Sequence, residues 1–167
     1  MWSLFLFLAA AVGFGQTPDI HFVPTSDPLV DIMLAAAGVT SQDVVYDLGS
    51  GDGRLVIAAA KKHGARGVGV EIDPDLVKQA RRNAEKAGVA DKVRFVQGDL
   101  FKTDLSDATV VTMFLSQSIN ARLEPKLKRE LKPGARIVSH RFPMPPDWKP
   151  DKDISTRSTH VYLWVIR

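Results

Sequence analysis

Short apolar runs alternate with amphipathic stretches through most of the chain. The runs are rich in valine and have the length of buried strands, whereas the stretches between them repeat apolar residues at helical spacing. The runs predict five strands, at 44–48, 67–72, 93–96, 109–115 and 135–139. The stretches predict one helix between Ser26-Asp27-Pro28 and Gly38, and further helices at 54–63, 75–87 and 118–131. Strands that alternate with helices are typical of right-handed crossovers in a parallel sheet.

The C-terminal part of the chain departs from this alternation. Four prolines between residues 143 and 150 exclude a helix there, and residues 160–166 predict one further strand. Because no helix precedes it, we expect that strand to pair in the antiparallel direction. The predicted fold class is therefore α/β, a doubly wound, mostly parallel sheet of Rossmann-like type with an antiparallel C-terminal strand. The chain of 167 residues is long enough for one such domain, placed at residues 16–167.

Composition excludes several classes of site. The chain contains no cysteine, and its four histidines lie far apart, so no metal site is predicted. The formal net charge is +3, but no basic run is interleaved with aromatic residues. We therefore expect no nucleic-acid partner.

The richest motif is the loop between the first of the alternating strands and its helix, Asp47-Leu48-Gly49-Ser50-Gly51-Asp52-Gly53. Glycines let such a loop turn sharply and bring backbone N–H groups against a ligand. A dinucleotide fingerprint would need Gly or Ala where this chain has Arg54. Asp47 would repel a pyrophosphate but attract an ammonium group. Asp47, Gly49, Ser50, Gly51 and Gly53 are therefore predicted to bind a nucleoside that carries an amino acid.

Two more carboxylates follow the next two strands. Glu71 can accept hydrogen bonds from both hydroxyls of a ribose, and Asp99 can accept one from an adenine amino group. Ile72 and Leu100 would cover the two faces of the base. The carboxyl ends of three successive strands thus predict one nucleoside site.

The segments 47–54, 69–73, 98–99 and 109–115 resemble the motifs of the class I, or seven-strand, methyltransferases. Three further segments are similar to the small prokaryotic and mitochondrial protein-lysine methyltransferases: residues 22–25, the helix with Val30, Met33 and Leu34, and residues 120–142, which include 131–140. The resemblance implies S-adenosyl-L-methionine as cofactor and a protein with an accessible lysine as substrate. It further implies that Pro24 and Thr25 form a lip over the methionine end of the cofactor.

By the same resemblance, the end of the fourth strand borders the transferred methyl group. We expect the Thr112 hydroxyl to orient the substrate amine and the Phe114 ring to form an apolar wall. His140 and Asn120 lie near the same region, without an assigned role. Two alternatives remain open: a methyltransferase that acts on a small molecule, and a catalytically silent protein that binds the cofactor. A monomer is expected.

Residues 1–15 are predicted to lie outside the domain, as a signal peptide or a membrane anchor. The run from residue 2 to residue 14 has no charge, and Gly13 and Gly15 suit a cleavage site. The run is short for a membrane span, which needs about 20 apolar residues. Because S-adenosylmethionine is held in the cytosol, we favour membrane association on the cytosolic face.

Overall fold

The computed structural model describes residues 24–167, which form one twisted sheet with helices on both faces. The helices of this part are α1 (Asp27–Ala37), α2 (Arg54–His63), α3 (Pro74–Ala87) and α4 (Gln117–Glu130). Its strands are β1 (Val44–Leu48), β2 (Arg66–Glu71), β3 (Val93–Gln97), β4 (Val110–Met113), β5 (Arg136–His140), β6 (Lys152–Ser155) and β7 (His160–Val165).

The sheet has the strand order β3-β2-β1-β4-β5-β7-β6. The strands β1 to β5 pair in parallel, and β7 is antiparallel to both β5 and β6. This arrangement confirms the predicted fold class. The chain leaves β1 toward β2 on one side and reaches β4 on the other, so the crevice outside the carboxyl ends of β1 and β4 is the place where such sheets bind ligands.

The prediction of a single C-terminal strand was wrong, because β6 precedes β7. The β6 sequence, Lys-Asp-Ile-Ser, is polar and mostly exposed, and it pairs only with β7 at the edge of the sheet. An edge strand of this kind has no buried face, so it leaves no hydrophobic pattern in the sequence.

Alternate residues of the central strands pack into two separate cores. On one face, Val45 and Val110 pack with α1, α2 and α3. On the other face, Tyr46 and Val111 pack with apolar residues of α4. Because both faces are covered, the strands carry continuous apolar runs, as parallel strands usually do.

No helix of residues 24–167 is both long and apolar enough to cross a membrane. Within the same part of the chain, no three side chains are grouped to hold a metal ion. The proposed leader at residues 1–15 lies outside the described residues and stays a prediction, as does the monomer.

The close packing of Gly69, in β2, against Phe95 and Ser50 leads to a prediction about stability. A Cβ at Gly69 would lie 2.5 Å from Phe95 Cδ1 and 2.6 Å from Ser50 Oγ. We expect Gly69→Ala to lower the free energy of unfolding by about 1–3 kcal/mol through overpacking. Gly98→Ala is the matched control, because its Cβ would meet nothing closer than 3.9 Å. Urea denaturation measures both, and equal stability of the two variants would contradict the packing described.

Candidate functional site

A cavity of about 480 Å³ opens at the carboxyl ends of β1 to β4. Its walls come from the ends of these strands, from the loops that follow them and from the start of the described chain. All three predicted carboxylates border it, as do the following predicted residues: Pro24, Thr25, Gly49, Ser50, Ile72, Leu100 and Phe114. Gly51, Gly53 and Thr112 do not border it.

The charges around the cavity are strongly unbalanced. Among residues 24–167, its charged lining residues are one cation, Arg54, and five carboxylates, Asp47, Asp52, Glu71, Asp73 and Asp99. Arg54 is already paired with Asp52 through a 2.7 Å contact. The remaining carboxylates face the cavity without a cationic partner among its lining residues, so the cavity suits a ligand that carries positive charge.

Asp47 is the most deeply buried of these carboxylates. It stands near the end of β1, and its Oδ1 accepts a hydrogen bond of 2.8 Å from the Thr112 hydroxyl on β4. Burial raises the pKa of Asp47 from 3.8 to about 7 against the lowering effect of this hydrogen bond, and the charges of Glu71 and Asp52 add to the rise. Near pH 7, Asp47 in the free protein is therefore present in both its ionised and its protonated form.

The predicted role of Thr112 was wrong. Its side chain is fully buried and its hydroxyl donates to Asp47, so it cannot meet an incoming amine. Thr112 lies opposite Asp47 in the register of β1 and β4, whereas Phe114, two residues later, has left the strand. Thr112 is a positioning residue for the carboxylate.

Glu71 is held by backbone donors. Its Oε2 accepts from the Gly51 N–H at 2.9 Å, and its Oε1 accepts from Ile72 and Asp73 N–H at 2.9 and 3.0 Å. These three bonds fix the carboxylate at the wall of the cavity. Each carboxylate oxygen can accept more than one hydrogen bond, so Glu71 keeps capacity for ligand hydroxyls.

Contrary to the prediction from the sequence, the backbone N–H groups of the glycine loop do not point to a ligand but bond within the protein. Gly49 and Ser50 N–H both donate to the Val70 carbonyl, Gly51 N–H to Glu71, and Gly53 N–H to the Ser50 carbonyl. These N–H groups are therefore occupied within the protein and are not free to contact a ligand. The loop ties the end of β1 to the end of β2, and so places Asp47 and Glu71 on one wall.

Arg54 and Asp52 form a clamp that the sequence analysis missed. The Arg54 guanidinium donates to both carboxylate oxygens of Asp52, at 3.0 and 2.7 Å, and to the Thr25 carbonyl at 2.9 Å. The hydrogen bonding with Asp52 raises the pKa of Arg54. The clamp connects the lip residue Thr25 to the glycine loop. Its signal was present in the sequence, because Arg54 stands where a dinucleotide site would need a small residue.

The side of the cavity below β2 and β3 is apolar. Ile72 borders it with 51% of its surface exposed, and it is the one exposed large apolar residue of residues 24–167. Leu100 and Phe101, which follow β3, border the same cavity. Asp99 borders the same region while its Oδ1 accepts from the Phe101 N–H at 2.8 Å. A flat apolar group with a polar edge would fit between these residues.

Beyond β4 the wall is aromatic. The Phe114 ring lies 4.0 Å from the His140 ring and 6.4 Å from the Phe142 ring, measured between centroids. Burial, with a smaller contribution from the charge of Arg141, lowers the pKa of His140 to about 4. His140 is therefore neutral near pH 7 and adds no charge to this wall.

A methyltransferase domain described as ANTKMT matches residues 47–152. A protein-lysine N-methyltransferase of Saccharolobus islandicus is 46% identical over 89% of this chain and 95% of its own length. The adenine nucleotide translocase lysine N-methyltransferase of Mus musculus is 39% identical over 99% of this chain and 71% of its own. A solved structure of an RNA methyltransferase from Salinibacter ruber, in complex with S-adenosyl-L-homocysteine, is 58% identical with a TM-score of 0.85, over 86% of this chain and 94% of its own.

The pKa of Asp47 generates a prediction for stability against pH. Because the folded form holds a proton that the unfolded form releases, this group makes the free energy of unfolding fall as pH rises from about 4 to 7. We expect Asp47→Asn, which can still accept from Thr112, to remove that decline and to gain on the order of 3 kcal/mol relative to wild type between those pH values.

The measurement is the difference between wild type and variant in denaturant unfolding across this range. The difference cancels opposing contributions from other groups, including His140. Asp91→Asn, which removes an exposed carboxylate, is the control for the substitution itself. A difference between wild type and Asp47→Asn that stays constant across this pH range would contradict the burial of this charge.

Proposed function

The chain belongs to the ANTKMT methyltransferase family, and on this premise we propose that it transfers the methyl group of S-adenosyl-L-methionine to lysine side chains of a protein. The observation that carries the proposal is the pairing of a carboxylate-lined cavity with an aromatic wall at the ends of β1 to β4. The two relatives that act on lysine support the choice of acceptor.

The residues of the cavity fit this cofactor. The ammonium and sulfonium groups of the cofactor are cationic. Asp47 is a buried carboxylate that has one side-chain donor and no cationic partner within residues 24–167. An ammonium beside Asp47 would favour the ionised carboxylate and lower its pKa. A pyrophosphate in the same place would face uncompensated negative charge, which argues against a dinucleotide.

The nucleoside end fits the other wall. Glu71, fixed by three backbone N–H groups, would accept from the ribose hydroxyls. Ile72 and Leu100 would enclose the adenine ring, and Asp99 would accept from its amino group. The Arg54 clamp would hold Pro24 and Thr25 at the methionine end.

The cofactor supplies an electrophilic methyl group, so the protein must present a neutral amine in line with it and exclude water. Phe114 provides an apolar wall against which a lysine stem can pack. An apolar surrounding disfavours the charged ammonium form and so lowers the pKa of the lysine amine. No strong enzyme base is required for this step.

RNA is the second candidate acceptor, because the Salinibacter ruber relative is described as an RNA methyltransferase. A protein acceptor is favoured over RNA by the two relatives that are named as lysine methyltransferases. The aromatic residues beyond β4 can also pack against a lysine stem.

The first prediction concerns cofactor affinity. Thr112→Val removes the hydroxyl that donates to Asp47, so we expect affinity for S-adenosylhomocysteine to fall about tenfold. Thr109→Val is the matched control, because the Thr109 hydroxyl donates in the same way to Asp43 at the far end of the sheet, at 2.7 Å. Titration calorimetry should find the control unchanged. Equal affinity of wild type and Thr112→Val for S-adenosylhomocysteine would contradict a contact between Asp47 and the ligand.

The second prediction concerns the acceptor. With labelled cofactor and a cell lysate, the purified protein should place label on lysine side chains, located by peptide mass spectrometry. Phe114→Ala should lower turnover at least tenfold while cofactor affinity changes little, because the ring faces the acceptor side. Label found on RNA or on a small molecule would refute the lysine proposal. Tight cofactor binding without any labelled acceptor would favour a silent binding protein.

A further inference from the structure

The backbone is strained immediately after β5. Arg141 has a φ of 68°, and it is the one residue other than glycine with positive φ among residues 24–167. The Phe142 N–H donates to the His140 carbonyl at 2.8 Å, which closes a three-residue turn around Arg141. This is the rarer and more strained form of the γ-turn. Such strain concentrates at functional positions.

Buried polar groups hold the turn closed. The Phe142 carbonyl accepts from the Asn120 amide at 2.8 Å and from the Ser139 hydroxyl at 2.6 Å. Asn120 and Ser139 are fully buried, and the Asn120 Oδ1 has no hydrogen-bond partner among the described residues. The fold therefore commits two buried polar side chains to one short turn at the end of a strand.

The turn lies beside the acceptor side of the cavity. Phe142 is stacked on Phe114, which borders the cavity, and the Arg141 guanidinium carbon lies 5.5 Å from the centre of the Phe142 ring. Arg141 is exposed, and its side chain makes no ion pair or hydrogen bond within residues 24–167. A strained turn thus presents an unpaired guanidinium next to the aromatic wall.

Glycine would occupy this turn without strain, whereas arginine has to adopt an unfavourable φ there. A guanidinium is permanently charged and matches a carboxylate through two parallel hydrogen bonds. We propose that Arg141 binds an acidic side chain that flanks the target lysine of the protein substrate. The inference rests on lysine methylation as the proposed function and adds a specificity-determining residue to it. Asn120 and Ser139 act on it indirectly, as positioning residues of the turn.

The test uses synthetic peptides with a single lysine in a neutral background, in which Glu or Gln is placed at each neighbouring position in turn. Affinity is measured by fluorescence anisotropy with the protein saturated with S-adenosylhomocysteine, and kcat and KM are measured with the methyl donor. At one or more positions, Glu should lower the dissociation constant and KM about tenfold relative to Gln, with little change in kcat.

The variants separate recognition from structure. Arg141→Glu should abolish or reverse the preference for Glu, whereas Arg66→Glu should keep it, because Arg66 is exposed at the opposite end of the sheet. Arg141→Gly should lose the preference with a melting temperature no lower than that of wild type, since it relieves the strain. A purely structural role would give the opposite result for glycine.

Equal KM and equal affinity for the Glu and Gln peptides at every position would overturn the inference about Arg141. A preference for Glu that survives Arg141→Glu would overturn it as well. Neither result would contradict lysine methylation. Failure to methylate any lysine peptide would overturn both. An RNA oligonucleotide that competes with the peptides for wild type but not for Arg141→Glu would assign Arg141 to a phosphate and would also overturn it.

Discussion

The rest of the site depends on the burial of one carboxylate, that of Asp47, which lies in β1 opposite Thr112 of β4. Burial disfavours its charge, and within the described residues its side-chain partner is the Thr112 hydroxyl. The glycine loop bends back onto β2 and brings Glu71 to the same wall, which adds to the repulsion. The free protein therefore has a local deficit of positive charge. A cationic ligand would relieve this deficit, whereas a pyrophosphate would add to the repulsion.

The two walls of the cavity differ in chemistry and suit different reactants. Carboxylates and apolar residues at the ends of β1, β2 and β3 suit the cofactor, whereas the aromatic residues beyond β4 suit a lysine stem. The strained turn at Arg141 lies beside the second wall. In the proposed reaction, residues at the strand ends would position both reactants.

The sequence predicted the parallel strands and their helices well, because a sheet covered on both faces leaves long apolar runs. It located the cavity as well, since the carboxyl ends of neighbouring parallel strands must meet at one edge. It failed where the direction of a side chain matters. Thr112 and Phe114 are separated by two residues, but β4 ends between them, and only the register with β1 shows that Thr112 faces Asp47. The contact of Arg54 with Thr25 and that of Asn120 with the γ-turn join segments that are distant in the chain, so a local pattern does not reveal them.

Proton release on ligand binding tests the electrostatic basis of the site most directly. At about pH 6, Asp47 in the free protein is largely protonated, and an ammonium placed beside it would drive the proton off. Calorimetric titration with S-adenosylhomocysteine in buffers of different ionisation enthalpy counts that proton. Wild type should release about one proton, and Asp47→Asn should release none. Tight binding to wild type without proton release would show that no cationic group of the ligand lies against Asp47.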